Sequence, residues 1–322
     1  MPPFELHQPT TLDEAMHIAS TILQSGSSFD WVAGGTDVLP NYKWRINTKP
    51  HLISLAKIEE LHVCGAQEIG AMVRLSTLEN ASFVHPLLSS AAKKVASSLI
   101  RKNATVGGNL CLDTRCFWYN QSEDWRRSID WCHKADCGTG ADCRVIPNQN
   151  TLCVATYQGD LAPNFIVLEA QVLLRSVNGE RTLPLHEFFQ LDGMKKNILQ
   201  EGELLVKILL PDSAKERVGC YQKLRVRDSW DFPEAGVAAS IIPGQPSTLM
   251  IASTALESIP CNHQEVVTSL FSDQQEIDIN QMARAIQQSV KPVNNTALPP
   301  RYRKSMVKTL TKRALKTILG GV

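Results

Sequence analysis

RKNATVGGNLCLDTRC (residues 101–116), CHKADCGTGADC (132–143), a single cysteine at 153 and GDLAP (159–163) form the stretch on which the reading of this chain turns. Six of its nine cysteines, at 111, 116, 132, 137, 143 and 153, fall between residues 101 and 162. Both ends of that window read as loops that grip a nucleotide. The middle reads as a redox insert spliced between them.

Gly107-Gly108 has an upstream counterpart in Gly34-Gly35, and each pair follows β-like residues and precedes a small polar one. Without a Cβ, successive backbone N–H groups can turn toward one point, and that concavity suits a pyrophosphate. Thr36, Asp37, Thr105 and Asn109 can add side-chain hydrogen bonds around it. Either pair alone is weak evidence, because such a dipeptide most often only turns the chain. The GxGxxG fingerprint is absent, so a nicotinamide-type dinucleotide fold is not supported.

The cysteines carry the stronger signal. A four-thiolate site needs a loop that folds back on itself, and irregular spacing permits this when the metal supplies the folding energy. By count alone, Cys116, Cys132, Cys143 and Cys153 would enclose an iron–sulfur cube or a zinc ion equally well. The spacing matches neither the CxxC knuckles of structural zinc nor the compact ferredoxin run, and merely buried free cysteines are a third reading. His133, beside Cys132, is a poor ligand candidate among so many thiols.

Composition bounds what surrounds the window. The chain has 322 residues, 43% hydrophobic and 20% charged, which suits two or three globular domains. Thirty-three basic residues against thirty-two acidic ones give no field of one sign, so neither nucleic acid nor an anionic membrane is an expected partner. No secretory leader and no long apolar segment is visible, and a cytoplasmic protein is expected. A reducing compartment disfavours structural disulfides, so clustered thiols suggest metal or redox chemistry.

Outward from the window, residues 10–24 predict a helix with capping-box spacing at Thr11 and Glu14 and an apolar stripe through Leu12, Ala15, Met16, Ala19, Ile22 and Leu23. Phe29 to Ala33 and His51 to Leu55 read as strands of a small βα unit. Residues 68–84 suit a strand, a turn and a helix start, and Pro86 to Ile100 one helix. Phe165 to Ser176 and Arg181 to Leu185 read as a hairpin about Asn178-Gly179. The polar run Pro211 to Arg217 marks an expected boundary between residues 1–215 and 216–322. Beyond it lie strands at 219–226, 235–242 and 249–256, then helices at 265–271, 277–290 and 301–319, the last with Met306, Leu310, Ala314 and Ile318 on one side and Lys308, Lys312, Arg313 and Lys316 in solvent. The fold class is thus α+β: a two-part nucleotide-binding domain, with a small βα subdomain and an antiparallel-sheet subdomain, followed by a C-terminal domain of antiparallel sheet and helices.

AGGTDVLP (33–40), RKNATVGGNL (101–110) and GDLAPNFIVLEA (159–170) resemble the FAD-binding loops of the medium subunit of molybdenum hydroxylases, the xanthine dehydrogenase and carbon monoxide dehydrogenase family. YQKLRVRDSWDFPEAGVA (221–238) and PPRYRKSMVKTLTKRAL (299–315) are similar to that family's C-terminal flavoprotein domain, so the resemblance spans nearly the whole chain. Most members run from GGN to the (S/G)DL motif over a short connection, whereas a segment at about 112–155 intervenes here. An insert at this position, with four cysteines holding a [4Fe–4S] cluster, marks the 4-hydroxybenzoyl-CoA reductase β subunits, and CLDTRC followed by YNQSEDWRRSIDWC resembles theirs.

The resemblance implies FAD contacts at Ala33, Gly34, Gly35, Thr36, Asp37 and Val38 and at Thr105, Val106, Gly107, Gly108 and Asn109, with Asp160 on the adenosine side and Lys223 as a further contact. Turn and surface roles are the bland alternatives for Asp160, Lys223 and Arg227. It implies cluster ligation by Cys116, Cys132 and Cys153, with Cys143 preferred over Cys137 as third ligand because its separation from Cys153 better fits the family, and it puts Cys111 beside the flavin loop. Trp118, Tyr119, Trp125 and Trp131 crowd the insert, where stiffening a long loop is their simplest role.

The implied function is an electron-transfer subunit with FAD and a [4Fe–4S] cluster. Its implied partners are a molybdopterin-binding large subunit, a [2Fe–2S] small subunit and a ferredoxin-like donor, in a complex that removes the phenolic hydroxyl of 4-hydroxybenzoyl-CoA. Substrate chemistry then belongs to the large subunit, and no catalytic acid, base or nucleophile is expected in this chain. Two alternatives stay open: the flavin subunit of an oxidative molybdenum hydroxylase acting on a purine or N-heterocycle, and a non-enzymatic subunit whose insert is a structural zinc site.

Overall fold

A computed structural model of the chain describes residues 1–148, 151–271 and 276–320. Residues 149–150 of the expected insert, and 272–275 and 321–322 of the expected C-terminal unit, lie outside the described residues.

Among the described residues, three sheets form. The first is parallel, in the order β1-β3-β2, from β1 (Glu5–His7), β2 (Phe29–Val32) and β3 (His51–Ser54). The helix Leu12–Gln24 covers it: Thr11 accepts from the Glu14 amide, and Leu12, Ala15, Met16, Ala19 and Ile22 are buried. Leu23 is only partly so. The reciprocal half of the capping box differs from expectation, because the Glu14 carboxylate takes the Thr10 amide rather than that of the cap residue. β1 was not foreseen, since three residues are too few to show alternation.

The second sheet is antiparallel, in the order β4-β7-β5-β6, from β4 (Glu68–Gly70), β5 (Gln171–Ser176), β6 (Gly179–Pro184) and β7 (Leu204–Leu209). β7, a central strand with Leu204, Leu205, Val206 and Ile208 buried, is absent from the sequence reading. A short apolar run such as LLVKILL has no periodicity that separates strand from helix. The foreseen hairpin forms, with Val177 and Asn178 as its two-residue loop and Gly179 (φ +124°) opening β6.

Two expected elements break where polar side chains compete with the backbone. The helix expected over Pro86 to Ile100 stops at Lys93, Ala96 takes a left-handed φ of 41°, and a short helix Ser98–Arg101 begins under a Ser97 cap. The Arg101 guanidinium donates to the carbonyls of Val95 and Ala96 that the break leaves open. The strand expected from Phe165 is instead the end of a helix, Ala162–Ile166, which carries Pro163 in its first turn; the strand starts only at Gln171, after Glu169 at φ 58°.

The third sheet, in the order β11-β10-β9-β8, comprises β8 (Val218–Leu224), β9 (Ala235–Ile242), β10 (Gln245–Thr254) and β11 (Cys261–Asn262), followed by helices Gln264–Phe271, Ile279–Ser289 and Pro300–Ile318. Its two faces feed different cores. Val237, Ala239, Ile241, Leu249 and Ile251 pack with Val307, Leu310, Ala314 and Ile318 of the last helix. Tyr221, Ala238 and Ala252 pack into the central core with Phe165, Val172 and Ile208. Met306, expected on the apolar side of that helix, is only partly buried, and Val307, Thr311 and Leu315 hold the buried face with the aliphatic residues. Arg313 and Lys316 are exposed, whereas Lys308 and Lys312 are partly buried. Among the described residues no helix is long and apolar enough to cross a membrane.

Candidate functional site

Strand β2 ends in the loop 33–37, which runs into the short helix Val38–Lys43, and Thr105 caps the short helix Val106–Leu110 that carries the second glycine pair. The structure brings the two together. A Cβ on Gly34 would lie 1.8 Å from the Asn103 carbonyl oxygen, so only glycine allows the first loop to rest on the turn that leads into the second. A Cβ on Gly107 would lie 2.6 Å from the Ala71 Cβ, and the Gly107 amide donates to the Ala71 carbonyl at 2.8 Å. Thr105 caps its helix by accepting the Gly108 amide at 3.1 Å, while Thr36 and Gly108 remain exposed at the mouth. Backbone packing thus seats the two glycine turns against each other; the amides of Val106, Gly107, Gly108 and Asn109 are taken by the Val73 and Ala71 carbonyls and by Thr105, so the second turn offers close approach rather than free donors.

The third loop joins beneath them. Asn109 Oδ1 accepts the Leu161 amide at 3.0 Å, and the Tyr157 hydroxyl donates to the Asn109 carbonyl at 3.0 Å. Asp160 is 2% exposed; it accepts from the Tyr221 hydroxyl at 2.8 Å and from Lys223 Nζ at 2.9 Å. Burial pushes the Asp160 carboxyl up, and the Lys223 ammonium and Tyr221 hydroxyl oppose that. Lys223 also donates to the Lys94 carbonyl. The two residues read separately from sequence are therefore one buried ion pair joining the central core to the third sheet. Asp37 is likewise engaged within the protein, where it accepts from the Arg115 guanidinium.

The insert crosses from this site into the cysteines. Cys116, Cys132, Cys143 and Cys153 are all buried, and Cys137 is exposed, its thiol turned to the His133 carbonyl. Cys111 ends the helix Val106–Leu110, its amide on the Gly107 carbonyl, beside the second glycine loop. Burial raises Cys116 to about 12 and Cys153 to about 11, and Cys132 rises for the same reason. Backbone amides oppose burial at each of these sulfurs: those of Trp118 and Tyr119 at Cys116, Ala135 and Lys134 at Cys132, and Ala155 at Cys153, the last at 3.4 Å. The Ile146 amide donates to the Cys143 sulfur at 3.5 Å. Amides aimed at sulfur suit a thiolate that is charged or metal-bound better than a neutral thiol. A Cβ on Gly193 would lie 2.9 Å from the Cys153 sulfur, so glycine also keeps this pocket open.

Several organising residues escaped the sequence reading. Arg126, 1% exposed, donates to Asp136 at 3.1 Å, to the Gln121 carbonyl at 2.6 Å and to the carbonyls of Trp44 and Arg45, and Asp136 accepts the Cys132 amide at 3.0 Å. Lys134 binds Asp113 at 2.9 Å and lies over the Tyr119 ring at 3.8 Å. Asn295 holds the insert to the C-terminal region, donating to the Val154 carbonyl at 2.7 Å and accepting the Phe117 amide through its own carbonyl. A run such as EDWRRS shows two arginines alike, and only burial singles out Arg126. A cleft of about 400 Å³ bordered by Arg115, Cys116, Gln158, Phe232 and Asn295 opens between the insert and the loop after β8.

A family described as the FAD binding domain in molybdopterin dehydrogenase matches residues 2–213. The chain is 30% identical to the aldehyde oxidoreductase FAD-binding subunit PaoB of Escherichia coli K12 over 70% of its own length and 74% of that protein's. It is 29% identical to the carbon monoxide dehydrogenase medium chain of Hydrogenophaga pseudoflava, over 74% and 68% of the respective lengths. A solved structure of carbon monoxide dehydrogenase from that organism superposes with a TM-score of 0.78 at 25% identity, covering 99% of this chain and 98% of that one. With the two glycine loops and the third sheet in that arrangement, the chain belongs to the FAD-binding medium subunits of the molybdenum hydroxylase family.

Proposed function

We propose that this subunit carries FAD on Ala33–Val38 and Thr105–Asn109 and a [4Fe–4S] cluster on Cys116, Cys132, Cys143 and Cys153, and passes electrons between an external donor and a molybdenum centre. Bound FAD supplies one- and two-electron chemistry and the cluster one-electron chemistry, so together they match a one-electron donor to a two-electron reaction elsewhere. The protein's own part is to bind, orient and keep water out. The two glycine turns, packed one on the other, form the bed for the pyrophosphate, Asp160 and Lys223 hold the third loop beneath them, and the Arg115–Asp37 pair joins the first loop to the residue preceding Cys116. We keep the division into residues 1–215, with the insert at about 112–155, and 216–322.

One observation carries the cluster: four buried thiols from one insert, each receiving backbone amides, beside the flavin loops. Distance favours iron–sulfur over zinc. Among the described residues no three of these sulfurs lie within 4.8 Å of one another, whereas four thiolates on zinc at about 2.3 Å stand only about 3.8 Å apart. Burial of Cys143 and exposure of Cys137 favour Cys143 as third ligand.

By resemblance of the insert, the complex is a 4-hydroxybenzoyl-CoA reductase. It would draw on a ferredoxin-like donor and assemble with a molybdopterin-binding large subunit and a [2Fe–2S] small subunit. A second reading rests on relatives named as a xanthine dehydrogenase and a nicotinate dehydrogenase: an oxidative hydroxylase, of a purine or N-heterocycle, with electrons leaving through the cluster. Iron and acid-labile sulfide analysis with anaerobic EPR tests the cluster, and stoichiometric zinc without iron would overturn it. Assay of the assembled complex for thioester dehydroxylation with a low-potential donor, against heterocycle oxidation, separates the two substrates.

A further inference from the structure

On either side of the first glycine loop in sequence, β1 and β3 place two imidazoles and a carboxylate together. Glu5 and His7 are two residues apart on β1, hence on one face of the sheet, and His51 is the register partner of Glu5 on β3. His7 Nε2 lies 3.2 Å from His51 Nδ1, and the Glu5 carboxylate reaches His51 Nδ1 at 3.5 Å and His7 Nε2 at 3.9 Å. All three ligand atoms fall within 4.8 Å of one another, the only such group of histidine, cysteine or acidic residues among the described residues. The imidazoles are 20% and 21% exposed and the carboxylate 67%, so the nitrogens are shielded while the oxygen side faces water.

We propose that Glu5, His7 and His51 form a binding site for Zn²⁺, with water as the fourth ligand. Two imidazoles bound tetrahedrally at about 2.0–2.1 Å stand about 3.3 Å apart, close to the spacing found here. Two neutral imidazoles and one carboxylate give a borderline nitrogen–oxygen donor set of net charge −1, the composition that suits this ion. Two of the ligands come from one strand and the third from its hydrogen-bonded neighbour, so the backbone sets their spacing before metal arrives. A bound ion would clamp the short β1 strand, which among the described residues has no neighbour on its other side, to the centre of its sheet.

The test uses the purified subunit with flavin and iron–sulfur cluster loaded, freed of adventitious metal by chelation. Equilibrium dialysis against zinc chloride is expected to find one site that His7→Gln and His51→Gln each weaken about tenfold or more, with flavin content and iron content unchanged. Cobalt chloride should give a tetrahedral d–d spectrum without thiolate charge transfer, and in the unsubstituted protein its paramagnetism should broaden the His7 and His51 imidazole resonances alone. Equal zinc binding in the variants, thiolate charge transfer at the first equivalent of cobalt, or unbroadened His7 and His51 signals would each overturn the assignment.

Discussion

The glycine loops and the cysteine insert lie side by side, yet they are built on different principles. The loops sit between regular elements, and their shape is fixed by backbone contact: Gly34 against the Asn103 carbonyl, Gly107 against Ala71, Thr105 capping its own helix. Among its described residues the insert holds one short helix, Glu123–Ser128, and otherwise relies on charge. Arg126 fixes Asp136, Lys134 fixes Asp113, and Asp130 and Trp131 sit at left-handed φ values of 64° and 65° before Cys132. Backbone packing can preform a site without its ligand. A loop that buries four thiols and holds two consecutive left-handed residues leans on whatever those thiols bind.

Substitutions that touch one region and spare the other give the sharpest separation. Cys143→Ser is expected to have the largest effect, abolishing the cluster signal and most of the bound iron while flavin absorbance persists; Cys137→Ser should leave both intact. EPR and iron analysis of the two variants decide the ligand, and a full cluster in Cys143→Ser would remove that residue from the set. Gly34→Ala is the mirror image. Its Cβ has no room beside the Asn103 carbonyl, and the local cost of about 3 kcal/mol should empty the flavin site first, read as lost flavin absorbance with iron retained.

Arg126→Ala should destabilise the insert by about 3 kcal/mol, because it strands Asp136 and uncaps the carbonyls of Gln121, Trp44 and Arg45. Faster cluster loss on dilution, at unchanged flavin affinity, is the expected readout. Loss of flavin before cluster in this variant would mean the two regions share one rigid support.

Acid gives the smallest effect. Burial raises the Asp113 carboxyl, but Lys134, Lys196 and the Tyr119 hydroxyl outweigh it and hold the group well below the usual carboxylate range. A depressed folded-state pKa contributes stability that is present above the unfolded value of about 3.9 and is lost as pH falls below it. Cluster retention should therefore be flat above about pH 4 and decline below it, and Lys134→Met should lower retention at neutral pH and shrink that acid decline. An identical acid profile in the variant would show that the Lys134 contact plays no part in holding the insert.

Legibility followed the same division. Thr11 with the stripe from Leu12 to Ile22, the Asn178-Gly179 hairpin and the two glycine pairs are local patterns, each readable within a few residues. β7 and β1 were missed because one is a short apolar run and the other three residues long, and strand pairing alone makes them strands. The helix expected to Ile100 overran because Ser97 and Arg101 favour a break that periodicity does not register. In the insert, cysteine count was visible from the start; the choice of Cys116, Cys132, Cys143 and Cys153 came from the family resemblance, and their burial comes from the fold.

The sequence by itself determined the residue types: glycines where no Cβ fits, six cysteines in one window and an apolar pattern sufficient for three sheets. Tertiary structure alone decided the pairings, which span tens to more than a hundred residues: Asp160 with Lys223, Asp37 with Arg115, Asn295 with Val154, and His7 with His51. The reason is physical. Turns, caps and glycine loops are set by neighbours in sequence, whereas the pairing of short strands and the partner of a buried charge or polar group are whichever groups the packed core brings within hydrogen-bond reach.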